Sequence, residues 1–287
     1  MAISIEGTEA RLLVFAGRQV LGWYQTTLPA RAVRNGFLVA AGGGGQHLRG
    51  VLAREGLTRV PLLVAFPGLQ SVTRVLQIPV ALRANLDTLV QREARRLLAV
   101  SLENSYVFWQ VLTTTRRETF RRVYLVVVPR EPLLAALEAL TSAGLKVVAV
   151  DLKPLAVARA VNVPEAIVAH GDLHGGDVVV VVGGVPTLIR SFYWSDEPLA
   201  REYAAIRLTE ELTRTIGFYN DSNRDSPLSL DVPVYLTGAL AEDAALAPTI
   251  AGVTGRQVSD PMPPLSCPPS LPARAFMATF GMAFKRL

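Results

Sequence analysis

The chain opens with three short runs of apolar residues, 3–5, 10–15 and 19–27, separated by Gly7 and by Gly17-Arg18. Apolar and β-branched residues bounded by turn glycines predict an antiparallel β-meander. Leu48–Glu55 has the length and period of one short helix. Val60–Phe66, stopped by Pro67-Gly68, reads as a buried strand, and Ser71–Ile78 alternates as another. Gly42–Gly45 lacks the Lys-Ser/Thr of a phosphate loop and does not match the dinucleotide fingerprint, so it reads as a flexible linker.

Beyond Pro79 the period changes. Leu82, Leu86, Leu89, Val90, Ala94, Leu97 and Leu98 recur three and four apart, predicting an amphipathic helix whose other face carries Arg92, Arg95 and Arg96. Strands over 105–114 and 119–128 follow, turning at Arg116-Arg117-Glu118, then a helix over 131–143 closed by Gly144. After a strand at 147–152 and a helix at 154–161, a hairpin of 177–182 and 186–194 about Gly183-Gly184 echoes the opening meander. A helix over 199–219 carries Leu208, Leu212, Ile216 and Tyr219 on one stripe. A polar loop, a strand at 232–236, a helix from 239 to 247 and a short strand at 257–258 precede a proline-rich loop and a terminal helix over 273–286.

With 50% hydrophobic and 18% charged residues in 287, the chain is a folded protein of about two domains. Every apolar run is broken well short of the roughly 18 residues that span a bilayer, and residues 1–9 do not read as a secretory signal, so a cytoplasmic location is expected. One cysteine, Cys267, and three histidines, His47, His170 and His174, exclude a disulfide framework and a usual zinc site. The loop from His170 to His174 holds two histidines and Asp172 but too few further ligands for a metal, and reads as solvated. The basic residues are 26 Arg and three Lys, a bias that points to genome composition rather than nucleic-acid binding. A net charge of +5 permits attraction to anionic lipid headgroups.

Two meander-plus-helix halves, the first interrupted by a small α+β module, describe the α/β actin-like (ribonuclease H-like) duplicated fold. The expected boundaries are 1–78 with 148–170 for the first half, 79–147 for the module and 171–287 for the second half. Within this frame five strings stand in order: Ile3-Ser4-Ile5 with Ala10-Arg11-Leu12; Leu28-Pro29 with Val33-Arg34-Asn35-Gly36; Ala65-Phe66-Pro67-Gly68 with Arg74 and Ile78-Pro79; Glu210-Glu211-Leu212 with Arg214-Thr215-Ile216-Gly217-Phe218-Tyr219; and Leu236-Thr237-Gly238. Phe280-Gly281-Met282-Ala283 closes the series. In these the chain resembles the PilM family of type IV pilus assembly, actin-like proteins related to the cell-division protein FtsA.

The resemblance implies a cleft for ATP and Mg²⁺ gripped by two Asp-X-Gly turns, in which backbone N–H groups hold phosphate and a carboxylate organises the metal. Here the first turn falls on Ser4-Ile5-Glu6, where Glu6 repels phosphate; sliding the register offers Glu6-Gly7-Thr8 with the strand phase wrong. The second falls on Ala169-His170-Gly171, with Asp172 one residue late. The third element, a Gly-Gly turn, reads Thr237-Gly238-Ala239. A lid subdomain over the base is reduced to 195–204. Ser4, Glu6, Gly7, Gly171 and Gly238 are thus degenerate nucleotide turns, their glycines read as ordinary turn glycines, and the expectation is a pseudo-ATPase with no catalytic residues and no cofactor.

What the resemblance then implies is a non-catalytic scaffold at the inner face of the plasma membrane, part of a type IV pilus or related secretion assembly. It would capture the cytoplasmic N-terminal peptide of a PilN-like bitopic protein in a groove between the first half and the module. Arg74, Leu76, Ile78, Leu89, Arg92 and Arg96 are the expected lining, with peripheral membrane association through the partner. An ATP-binding switch, with Glu6 or Asp172 in the missing Asp role, and a filament-forming homo-oligomer are the other readings the resemblance leaves open.

Overall fold

In a computed structural model, which describes residues 1–79, 85–97, 102–112 and 120–285, the opening runs form β1 (Ala2–Glu6), β2 (Glu9–Ala16) and β3 (Gln19–Thr27). They pair as the expected antiparallel meander, Ala2 opposite Leu13 and Glu9 opposite Thr27. A two-residue ribbon, β4 (Val33–Arg34) with β5 (Phe37–Leu38), leads to α1 (Gly44–Arg54) and β6 (Leu62–Phe66). The glycine run is not a linker, because Gly44 and Gly45 open α1. A β-carbon on Gly42 would lie 2.4 Å from the Arg31 carbonyl oxygen, and one on Gly45 only 1.8 Å from that of Ala139. Close backbone approach, which only glycine allows, takes the place of the expected flexibility.

Residues 70–134 form a compact unit of their own. It holds β7 (Val72–Pro79), α2 (Leu86–Leu97), β8 (Ser105–Val111) and β9 (Phe120–Pro129), the strands in antiparallel order β7-β9-β8. Leu76, Ile78, Leu89, Val90, Ala94, Val123, Leu125 and Val127 make its core. This corrects the expected boundaries of 79–147: β7 pairs with β9 along its whole length and so belongs to the module, not to the first half. Leu82 and Leu98 of the expected helix and the Arg116-Arg117-Glu118 turn lie outside the described residues.

α3 (Arg130–Thr141) leads back, and β10 (Val147–Leu152) adds to β6 in parallel before α4 (Lys153–Val161). The second half holds β11 (Ala166–Gly171), β12 (Gly175–Val182), β13 (Val185–Tyr193), α5 (Arg201–Ser222), β14 (Val234–Thr237), α6 (Leu246–Thr254) and β15 (Val258–Ser259). The two five-stranded sheets run β10-β6-β1-β2-β3 and β15-β14-β11-β12-β13, the same order strand for strand. In each, a central strand joins an antiparallel hairpin on one side to parallel strands on the other. The second half therefore begins with β11, near residue 166, and not at 171.

Successive residues of β11 face two cores. Ala166 and Val168 join Ala2, Leu13, Ala65 and Val179 in one, while Ile167 and Ala169 join Leu208, Leu212, Leu236 and Ile250 in the other. The first core binds the two sheets together and is closed by α4 and by α7 (Met277–Ala283). A 3₁₀ turn over Ala273–Phe276 precedes α7, so the terminal helix is shorter than expected. α4 and α7 cross so closely that a β-carbon on Gly281 would lie 1.7 Å from the Ala156 carbonyl oxygen.

Gly281→Ala is expected to lower stability by roughly 3 kcal/mol through overpacking against backbone. Gly50→Ala, in α1 with nothing within 4 Å of the added carbon, is expected to raise it by about 0.5–1 kcal/mol. Urea midpoints at unchanged slope check both, and a neutral Gly281→Ala would contradict the α4–α7 packing.

Candidate functional site

The C-terminal end of β1 and the β11–β12 turn face each other between the two halves, the position where sheets of this class bind ligands. Strand alternation puts Ser4 and Glu6 on one face of β1, and the β1–β2 register places Arg11 directly opposite Ser4. On the other half the register sets Asp177 and then Ser191 across from His170. Lys153 opens α4 between them.

These side chains meet in a single buried cluster. Arg11, 2% exposed, gives Nη2 to Asp172 Oδ2 at 2.8 Å and has Nη1 3.3 Å from Glu6 Oε1. The same Glu6 oxygen accepts from Ser4 Oγ at 2.9 Å and lies 3.0 Å from His170 Nε2, whose Nδ1 is 2.9 Å from Thr237 Oγ1. Lys153 Nζ sits 3.1 Å from Asp177 Oδ2 and 3.9 Å from Glu6 Oε2. The segment His170–His174 is therefore not the solvated loop that its composition suggests. His170, Asp172 and His174 are all buried, because this turn is one wall of the joint between the halves.

Burial alone would push the Glu6 carboxyl up, but Lys153, then His170 and Arg11, outweigh it and hold the group well below the usual carboxylate range. Asp172 moves the other way: desolvation, only partly opposed by Arg11 and reinforced by Glu6, raises it. Lys153 loses solvation too, yet Asp177 and Glu6 keep its ammonium above the ordinary lysine value. One side of the cleft thus holds its charge firmly and the other reluctantly.

A hydrated metal and a triphosphate do not fit these residues. The cavity left beside Glu6, Lys153, Asp172 and Asp177 is about 20 Å³, the room of a single water, whereas ligand pockets run to several hundred Å³. Three carboxylates line it. The turn glycines serve internal packing: a β-carbon on Gly7 would lie 2.1 Å from the His174 ring, one on Gly171 2.5 Å from Leu208, and one on Gly238, at φ +87°, 2.2 Å from the Gly171 carbonyl oxygen. Each is closed off by this chain's own atoms.

Of the residues expected to line a partner groove, Leu76, Ile78 and Leu89 are buried in the module's own core. They hold the module together and cannot contact a ligand without unfolding it. Arg74, Arg92 and Arg96 are exposed, with Arg96 Nη2 2.8 Å from Glu93 Oε2. Arg11 and Lys153, which organise the cleft, escape a search for nucleotide motifs. Their signal in the sequence is a charge inside an otherwise apolar strand or at the start of an apolar helix, which burial forces to find a partner.

No protein-family profile and no curated protein sequence matches the chain. Solved structures do. A chain of the PilM-PilN type IV pilus biogenesis complex matches at a TM-score of 0.78 with 20% identity, over 98% of this chain and 96% of that one. The cytoplasmic domain of EpsL, an inner-membrane component of the type II secretion system of Vibrio cholerae, matches at 0.56 with 13% identity over 99% and 95%. The ethanolamine utilization protein EutJ from Carboxydothermus hydrogenoformans matches at 0.54 with 15% identity over 98% and 88%. The fold is thus the α/β actin-like duplicated fold, similar to that of PilM.

Arg11→Met leaves Asp172 buried without its cation and takes from Glu6 one of the charges that face it, and is expected to cost about 3–5 kcal/mol at neutral pH; a loss under about 1 kcal/mol would contradict the cluster. Because the Glu6 value is lowered on folding, its contribution is present above the unfolded value near 4.3 and is lost as pH falls through the lower folded value. Asp172, raised on folding, has the opposite slope. Glu6→Gln is therefore expected to be less stable than wild type at pH 7 and to lose less below about pH 4.3, as urea midpoints against pH will register.

Proposed function

We propose that this chain is a non-catalytic, actin-like scaffold that works by binding protein partners, with its ancestral ligand cleft held shut from within. The observation that supports this most directly is the Arg11–Asp172 pair at 2.8 Å, which spans the cleft where a phosphate and metal would have to enter. An ATP-dependent switch needs a cleft that exchanges its occupant. Here the occupants are side chains, attached by the backbone and present at every nucleotide concentration.

The assembly we propose for it is a type IV pilus or a related secretion machine, on the cytoplasmic side of the inner membrane. Support comes from the likeness to the PilM-PilN complex of type IV pilus biogenesis and to the cytoplasmic domain of EpsL from a type II secretion system. Among the described residues no helix is long and apolar enough to cross a membrane. Attachment through a bitopic partner, aided by a net charge of +5, would keep the chain at the surface. The partner we propose is a PilN-like protein whose short cytoplasmic peptide docks by backbone pairing and small side-chain pockets.

Thermal unfolding with millimolar ATP and Mg²⁺ is expected to leave the midpoint unchanged within about 1 °C, since a ligand that binds only the folded state would raise it. Fluorescence anisotropy with the cytoplasmic N-terminal peptide of a PilN-like bitopic protein is expected to show saturable binding that ATP does not alter. A saturable ATP·Mg²⁺ shift would overturn the closed-cleft reading, and a peptide that fails to bind would overturn the scaffold assignment.

A further inference from the structure

A groove of about 880 Å³ lies between α5 and α6, remote in sequence from the cleft residues of β1 and β11. Its α5 wall is the stripe that recurs three and four residues apart from Glu202 to Arg214, about 18 Å at 1.5 Å per residue. By composition this wall looks half polar. Its threonines, however, turn their hydroxyls back into the helices: Thr209 Oγ1 donates to the Ala205 carbonyl at 2.9 Å, Thr213 to Thr209 at 2.9 Å, and on α6 Thr249 to Ala245 at 2.8 Å. With the hydroxyls satisfied there, the threonines offer methyl groups. Ile206 and Val253, 55% and 56% exposed, complete an apolar trough.

The rim has the opposite charge to the chain as a whole. Glu202, Glu210 and Asp243 stand against one lining arginine, Arg214, which is already paired with Glu211; Arg207 faces Glu210 at 3.8 Å, so Glu202 and Asp243 carry the rim's excess negative charge. We propose that this groove docks an amphipathic helical segment of a partner, about three turns long, with apolar side chains on its inner face and basic residues along its flanks. The apolar floor rejects a purely basic tail, and the acidic rim repels an anionic membrane. A second copy of this chain is a poor fit. Its exposed basic stripe, Arg92, Arg95 and Arg96, lies on α2, whose apolar residues Leu89, Val90 and Ala94 are buried in the module core and leave no anchors to insert. The inference stands apart from the scaffold reading and does not require it.

A displayed library of peptides about 16 residues long, selected on the full chain and counter-selected on the Ile206→Glu/Val253→Glu variant, tests it. The expected winners carry apolar residues three and four apart and a net positive charge. Glu202→Lys/Asp243→Lys should weaken their binding at least about tenfold, Thr213→Val should keep it, and Thr213→Ser, which loses the methyl, should weaken it. All these positions except the half-buried Asp243 are exposed, so wild-type thermal unfolding in each variant is the control for folding. Acidic or unpatterned winners, binding indifferent to both double substitutions, or no enrichment would overturn the proposal. So would concentration-dependent self-association in sedimentation, or binding to anionic vesicles, that Ile206→Glu/Val253→Glu abolishes.

Discussion

A guanidinium shut away from water, between one carboxylate of its own half and one of the other, is the constraint on which the remaining structure depends. Arg11 cannot lose its charge, and at 2% exposure it cannot reach solvent, so Glu6 and Asp172 must stay where they are. Their negative charge in turn fixes Lys153 and His170 about the same few ångströms. Such clusters are weak sources of net stability, because desolvating the ions offsets their attraction, but they are costly to break. The cluster therefore acts as a lock more than as a cement.

The halves are joined by means of different physical character. On one side of the sheets the joint is apolar and non-directional: α4 and α7 lie between the sheets, and residues from both halves share one core with Phe276, Met277 and Phe280. In the cleft it is polar and directional, its contacts set by the register of β1 with β2 and of β11 with β12, by the turn that carries Asp172 and by the start of α4. The packed helices set how near the sheets come, and the charges set how they are oriented across the gap. A cleft held in this way leaves room for about one water, and its described cations, Arg11 and Lys153, already face carboxylates, which is why we read the fold as architecture for binding proteins.

Much of this was legible along the chain because local signals were unambiguous. The opening meander, the Gly183-Gly184 hairpin and the long helix with Leu208 and Leu212 turned inward all follow from period and turn chemistry. β11 was not, since four apolar residues ahead of His170 carry no readable period, and missing it displaced the start of the second half. The glycines at 42–45 and the histidines at 170 and 174 misled for one shared reason. A residue's usual environment is a statement about averages, whereas close approach of Ala139 to Gly45, or of Glu6 to His170, is made by segments far apart in the chain. Likewise Leu76, Ile78 and Leu89 fit any apolar surface by composition, and only the pairing of β7 with β9 and the packing of α2 against them assign these residues to a core.

Crystals grown with Mg²⁺ and a non-hydrolysable ATP analogue would test the central claim most directly. Arg11 Nη2 should remain within hydrogen-bond distance of Asp172 Oδ2, with side chains alone filling the space between the halves. Density for a nucleotide and its metal in that space, with Arg11 and Asp172 drawn apart, would contradict the account.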